Sequence, residues 1–296
     1  MTRTESAVAA GFRGALLASD SRRVVWVDST AYARRLFAPG QDVWADTGSH
    51  VELVRQVQRL LGSEVIEVRL GAFHRAALEA DPSVAEPHRG RRLTTVLRRL
   101  LEDSGPTAIA VGVADALGVL YPGTPIVLVV DGAGRWLEWA ASVSGDAADI
   151  DLDSVDAAAV YVADAIRPFG ATAVSGVALD LRGAGPAPAD ALFDLHGPVL
   201  NLAGDYGWPV AVVVGDPAAA TAVGARPVDA VLCPGLGFGS LTALEVSARL
   251  GGGLDAAFWS EPTTVTPPDR ILAYGEIPAD AQPERVLTKL SEFRNQ

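Results

Sequence analysis

Eight short runs of strand length, mostly β-branched and apolar, alternate with segments of helical period along this chain, and that alternation leaves few folds open. The runs cover residues 24–27, 65–68, 126–130, 174–179, 210–214, 230–232, 256–259 and 271–274. Between and after them lie helical segments at 51–61, 93–101 with 108–120, 135–143, 155–169, 191–206, 218–223, 241–250 and 283–293. Repeated βα units build a parallel sheet, and eight of them in 296 residues predict a closed α/β barrel of the (β/α)8 TIM type rather than an open sheet. The reading is a single domain over 1–296, with an N-terminal helical extension at 1–20, an exposed arginine-rich insertion at 82–92 and a short extra strand at 42–45. No repeat beyond the βα alternation is present.

Composition narrows the function classes. With 49% apolar residues, 30 Gly and 19 Pro, the chain is globular and can bury a large core. A formal charge of −12, with no long Lys/Arg run, repels phosphate backbones and anionic head groups, so neither nucleic acid nor a membrane surface is expected as partner. No stretch reaches the roughly 18 apolar residues of a membrane span, and the N-terminal residues lack the apolar core of a signal peptide; the expected location is cytoplasmic. Cys233 is the only cysteine, which excludes an intramolecular disulfide and a multi-thiolate zinc site. Lys289, the only lysine, falls in an amphipathic terminal helix, which disfavours Schiff-base and pyridoxal phosphate chemistry.

In a barrel the active site forms at the C-terminal ends of the strands, so the first polar residues after each run are the candidates. Asp28 and Ser29 follow the first run, Arg69 and His74 the second, and Asp131 and Arg135 the third. Asp180 and Arg182 follow the fourth, Asp216 the fifth, Cys233 ends the sixth, Ser260 and Glu261 follow the seventh, and Tyr274 and Glu276 close the eighth. So many carboxylates and guanidiniums at one mouth must pair with each other or with a polar substrate. Helix N-capping competes for Asp28, Asp131 and Asp216; Asp180 and Glu276 precede loops instead, which favours a pocket role. Asp180, Glu276 and His74 are the acid–base candidates, and Asp28, Arg69, Asp131, Arg135, Arg182, Asp216, Glu261 and Tyr274 the substrate-binding ones.

A metal site is not expected. His50, His74, His88 and His196 share no ligand spacing; His50 and His88 read as solvated and His196 as lying within a helix. Cys233 reads as a buried, inert thiol. The glycines at 235, 237 and 239 miss the spacing of a dinucleotide fingerprint and read as a flexible turn.

Four stretches carry a family resemblance: 23–34 (RVVWVDSTAYAR), 124–140 (TPIVLVVDGAGRWLEWA), 158–180, a long helix leading to a strand that ends in Asp, and 271–286 (ILAYGEIPADAQPERV). Together they resemble, in order, the first, third, fourth and final strand regions of the uroporphyrinogen decarboxylase superfamily, which also holds cobalamin-independent methionine synthases and corrinoid-linked zinc methyltransferases. The resemblance implies a (β/α)8 barrel, often a homodimer, with a ligand cleft at the strand ends, and it matches Asp180 to the family's Asp after strand four. Ser29 and Ala33 stand where the decarboxylases carry two substrate arginines, Arg69 and Leu70 replace an aspartate, and Glu276 replaces a histidine. Val213, Val214 and Gly215 stand where the methyltransferases carry His-x-Cys, so the zinc ligands are missing.

The function expected from sequence and resemblance is a lyase of decarboxylase type. It would need neither metal nor cofactor, and would act on a small polar, carboxylated molecule held by Arg69, Arg135 or Arg182, with Asp180 and Glu276 handling protons. A zinc-independent methyl or alkyl transferase of the same superfamily and a non-catalytic binding or accessory protein are the alternatives.

Overall fold

The structure is a computed structural model in which residues 7–16, 24–145, 150–183, 187–261, 268 and 271–295 are described. Eight strands form one parallel sheet: β1 (Val25–Asp28), β2 (Ile66–Arg69), β3 (Ile126–Asp131), β4 (Val174–Asp180), β5 (Val210–Val213), β6 (Ala230–Cys233), β7 (Arg249–Gly253) and β8 (Ile271–Glu276). The helices are α1 (Ala7–Leu16), α2 (Thr30–Phe37), α3 (Thr47–Leu61), α4 (Leu70–Ala80), α5 (Leu93–Glu102), α6 (Ser104–Leu120) and α7 (Ala133–Ser144). They continue as α8 (Leu152–Ile166), α9 (Ala189–Asp194), α10 (Gly197–Tyr206), α11 (Pro217–Gly224), α12 (Phe238–Thr242), α13 (Ala256–Ser260) and α14 (Pro283–Arg294).

The strands pair in the order β1-β8-β7-β6-β5-β4-β3-β2, a nearly closed TIM barrel. At the β1–β2 seam one backbone bond, Glu64 N–H to Val25 O at 3.0 Å, is supplemented by side chains. Glu64 Oε2 accepts from Val25 N–H at 3.1 Å, and Ser63 Oγ stands 3.4 Å from Val25 O and accepts from Val27 N–H at 3.5 Å. Above them a cavity of about 50 Å³ remains, lined in part by Val27, Trp44, His50, Leu53 and Glu67.

Alternation along each strand sorts the side chains. Val25, Val27, Ile66, Val68, Leu128 and Val130 face the helices, whereas Trp26, Val127, Val129, Ala178, Ala211, Ala230, Leu232 and Tyr274 fill the interior. Small interior residues on β4, β5 and β6 leave room for the rings of Trp26 and Tyr274, which meet edge to face at 5.1 Å. Helix α1 closes the N-terminal end. Its Phe12 and Leu16 are buried in the interior cluster, and Phe12 meets Trp26 at 5.7 Å. A Cβ on Gly176 would stand 2.2 Å from the Phe12 ring, so glycine in β4 is what admits the plug.

Several local expectations change. The seventh strand is Arg249–Gly253, not 256–259, which forms the one-turn helix α13 capped by Asp255 through Phe258 N–H at 2.9 Å. The helix expected at 241–250 reduces to α12, which ends at Thr242. The long helix at 191–206 is two helices, because Pro198 starts α10 and cannot continue α9. Residues 42–45 form turns and bends, not a strand, and helix α2 follows β1 where no helix was expected. The expected extension at 1–20 contains α1, its remainder lying outside the described residues, and the insertion after α4 is a largely exposed 3-10 turn over Pro82–His88. Among the described residues no helix is long and apolar enough to cross a membrane.

Candidate active site

The interior face of each strand ends at the barrel's C-terminal rim, and on β1, β2, β3, β4 and β8 the last interior-facing residue is charged: Asp28, Arg69, Asp131, Asp180 and Glu276. The backbone register sets Asp131 beside Asp180 and Asp28 beside Glu276. Like charges this close persist only with cations between them. Arg135, two residues into α7, places one Nη1 at 3.0 Å from both Asp131 Oδ1 and Asp180 Oδ2. Arg182 donates to Asp180 through Nε at 2.9 Å and Nη2 at 2.7 Å, a bidentate fork, and through Nη1 to Glu276 Oε1 at 2.7 Å. Arg75 on α4 donates to Asp131 Oδ2 at 2.8 Å.

Asp180 is the centre of this set. Its side chain is 0% exposed. Burial works against its charge, but the hydrogen bonds and charge of Arg182, with Arg135 behind them, outweigh it and hold the carboxyl below its usual range. Arg182 is correspondingly held more firmly protonated than a free guanidinium. Glu276 differs from Asp180 in being 42% exposed, so it is the acid of the network most open to a ligand.

A second group lies deeper. Arg69 donates through Nε to Glu67 at 2.8 Å, and its Nη2 stands 2.7 Å from Asp28 Oδ2. Asp28 uses its other oxygen to accept from Thr30 N–H at 2.9 Å, so it serves both the first turn of α2 and the rim. Trp26 Nε1 donates to Glu67 at 2.8 Å. Burial raises the Glu67 carboxyl to about 7 against the pull of Arg69, with the Asp28 charge adding to the rise. With Glu67 protonated, Arg69 and Asp28 balance, as do the three guanidiniums and three acidic groups of Arg75, Arg135, Arg182, Asp131, Asp180 and Glu276.

The opposite half of the rim carries small residues. Gly215, Pro234–Gly235 and Ala256 follow β5, β6 and β7, and the space they leave is a cavity of about 520 Å³ whose charged walls are Asp28, Arg182 and Glu276. This is the size of a small-molecule site.

The structure therefore brings together Asp28, Arg69, Asp131, Arg135, Asp180, Arg182 and Glu276. Tyr274 lies below them, fully buried, its hydroxyl held protonated chiefly by burial. Three expected residues lie outside this ion-pair network. His74 is buried in α4, within 3.0 Å of Thr107 Oγ1 and against Trp136, and burial lowers its pKa to about 4. Asp216 caps α11 by accepting from Ala219 N–H at 2.9 Å. Glu261 is exposed at the end of α13, since the seventh strand lies elsewhere.

His50 and His196 are also structural. His50 is buried, not solvated, and stacks against Trp44 at 4.5 Å. His196 lies between α9 and α10, not within a helix. Its Nε2 accepts from Ala133 N–H at 2.9 Å, so Nδ1 carries the proton it donates to Leu192 O at 2.7 Å; this pins the start of α7 beneath Arg135. Cys233 is buried, and burial pushes its thiol up to about 12. Among the described residues no group of three His, Cys, Asp or Glu is placed to hold a metal ion.

Two residues of the network carried no sequence signal under the strand-end rule. Glu67 is within β2, and only its two-residue spacing from Arg69 marks it as interior. Arg75 reaches the rim from a helix across Gly71, where a Cβ would stand 2.1 Å from Asp131 Oδ2. Compared with known proteins, the chain is matched by no family model and by no curated protein.

Proposed function

We propose that this chain is an enzyme working at the rim basin between β1, β4 and β8 on a small carboxylated molecule, as a decarboxylase-type lyase of the uroporphyrinogen decarboxylase-like kind. The observation that carries the reading is the convergence of Arg182, Glu276 and Asp28 on one cavity at the C-terminal end of the barrel, with Asp180 buried behind Arg182 and forked to it. Asp180 fixes the guanidinium of Arg182 from one side, which leaves its outer edge to a substrate carboxylate that displaces Glu276. A carboxylate paired with a cation is a poor leaving group, so the Arg182-bound group is the anchor. The group lost is a second carboxylate, set against Asp28, whose like charge disfavours its bound anionic form.

As the carbon–carbon bond breaks, carbon dioxide departs and the bonding electron pair stays on the substrate carbon, delocalised into the substrate's own unsaturated system. Glu276 in its acid form gives that carbon a proton and recovers one from water, to which it is open. Glu276→Gln removes the proton and keeps the shape. Carbon dioxide release, measured over a panel of small dicarboxylic and keto acids, should fall by about 10²- to 10⁴-fold in that variant. Release at the native rate would remove Glu276 from the mechanism.

A second reading has its own support. Each rim arginine is already paired with an acid of this chain, which suits a binding protein that needs no turnover. Ligand binding without carbon dioxide release from any member of the panel would favour it.

A further inference from the structure

We infer that the ligand of this site is an elongated carboxylate with an apolar arm, its acid group at Arg182 and its arm lying over α11; the inference rests on the rim reading above. Two cavities flank Arg182. One is the charged basin of about 520 Å³, and the other, of about 470 Å³, lies between residues 181–183 with 187–189 on one side and helix α11 on the other. Arg182 and Gly215 wall both, so the two form adjoining lobes with the guanidinium at their junction.

The second lobe differs in chemistry. Leu181, Leu192 and Val214 contribute its buried apolar surface, and Pro188, Ala219 and Ala222 are among its walls. Its one acid, Asp216, has an oxygen committed to the N-terminus of α11. Between the lobes, Gly215 has a φ outside the left-handed region, and a Cβ there would meet nothing within 4 Å. The passage is open because nothing fills it. Arg182 uses two of its five N–H groups on Asp180 through its side chain and a third on Glu276, so a carboxylate that displaces Glu276 at the junction finds two on Nη1 and one on Nη2. A short acid would satisfy the guanidinium and leave the apolar lobe wet. An acid with an alkyl or aryl arm would satisfy both.

Ligand-observed NMR titrations of the full chain with acetate, butyrate, hexanoate and uncharged hexanamide test this. Affinity should rise by about threefold per methylene along the acid series, near the value for full burial, and hexanamide should bind at least tenfold more weakly than hexanoate. Ala222→Phe, which fills only the arm lobe, should weaken hexanoate tenfold and flatten the series. Equal affinity for acetate and hexanoate, hexanamide binding as tightly as hexanoate, or an Ala222→Phe chain that keeps the full series would each overturn the inference. Acids that bind without length dependence but weaken in Arg182→Lys would overturn the arm alone and leave the rim reading standing; failure of every acid to bind would count against both.

Discussion

Asp180 and the buried histidines make opposite use of burial. Asp180 stays charged because three N–H groups of Arg182 reach it and Arg135 stands beside it. At His50 and His74 burial outweighs the groups that favour the charged form and lowers both to about 4 from 6.5. As pH falls from 6.5 towards 4, the unfolded chain takes up protons that the folded chain cannot, so each histidine removes stability by up to about 3 kcal/mol. Glu67 has the opposite sign. Its folded value of about 7 exceeds 4.5, so the folded chain holds a proton the unfolded chain lacks, and stability from this group grows as pH falls from 7 to 4.5.

Two histidines outweigh one glutamate, and His196, also lowered by burial, adds to them. Urea unfolding should therefore show net loss of stability between pH 6.5 and 4, with a shallower loss in His50→Phe. A flat profile would contradict this assignment of buried neutral imidazoles. The residue scale is also where sequence reading reached its limit. The first polar residue after a strand identifies Asp28, Asp131, Asp180 and Glu276 as rim groups, but the same rule selects Asp216, which caps a helix instead. The four rim acids end their strands, whereas Asp216 lies three residues beyond β5 at the start of α11, a difference set by where each strand stops, which the apolar run does not mark.

At the scale of elements, β7 shows why one strand in eight was misplaced. Its sequence is RLGGG, and glycine reads as a strand breaker, whereas the apolar residues Ala256, Ala257, Phe258 and Trp259 read as a strand. The glycines answer to neighbours far away in sequence. A Cβ at Gly252 would stand 2.7 Å from Cys233 O and Leu241 Cδ1, and one at Gly253 would enter the Phe238 ring at 2.2 Å. Gly253 also has φ of 90°, a left-handed conformation. Gly253→Ala should cost about 2 to 4 kcal/mol in chemical denaturation, from strain and overpacking together. A change below about 0.5 kcal/mol would mean that Phe238 can move aside at little cost. The other seven strands read correctly because their signal is local: Val, Ile and Leu in runs that suit a sheet buried on both faces.

The whole molecule is a barrel with one end stoppered and the other charged. Phe12, fully buried at the stoppered end, packs on Trp26, which in turn donates to Glu67 below the rim. Phe12→Ala should remove about 3 to 5 kcal/mol by leaving a cavity, and limited proteolysis should then cut within α1 sooner than in the native chain. Unchanged stability and unchanged cleavage would show that α1 does not plug the barrel. The eight-fold architecture was legible in the chain because periodicity repeats. The partial opening at β1–β2 was not, because it depends on how Ser63 and Glu64 turn towards β1.

The central claim is that Arg182, held by Asp180, reads a carboxylate at the rim. Its most direct test is the melting temperature of the full chain with and without a panel of small mono- and dicarboxylates, in the native protein and in Arg182→Lys. Lysine keeps a charge beside Asp180 but removes the second face of the fork. Saturation at about 100 times Kd should stabilise the native chain by about 2.7 kcal/mol and raise its melting temperature by several degrees, and Arg182→Lys should abolish most of that rise. No rise with any acid, or an equal rise in the variant, would contradict the account.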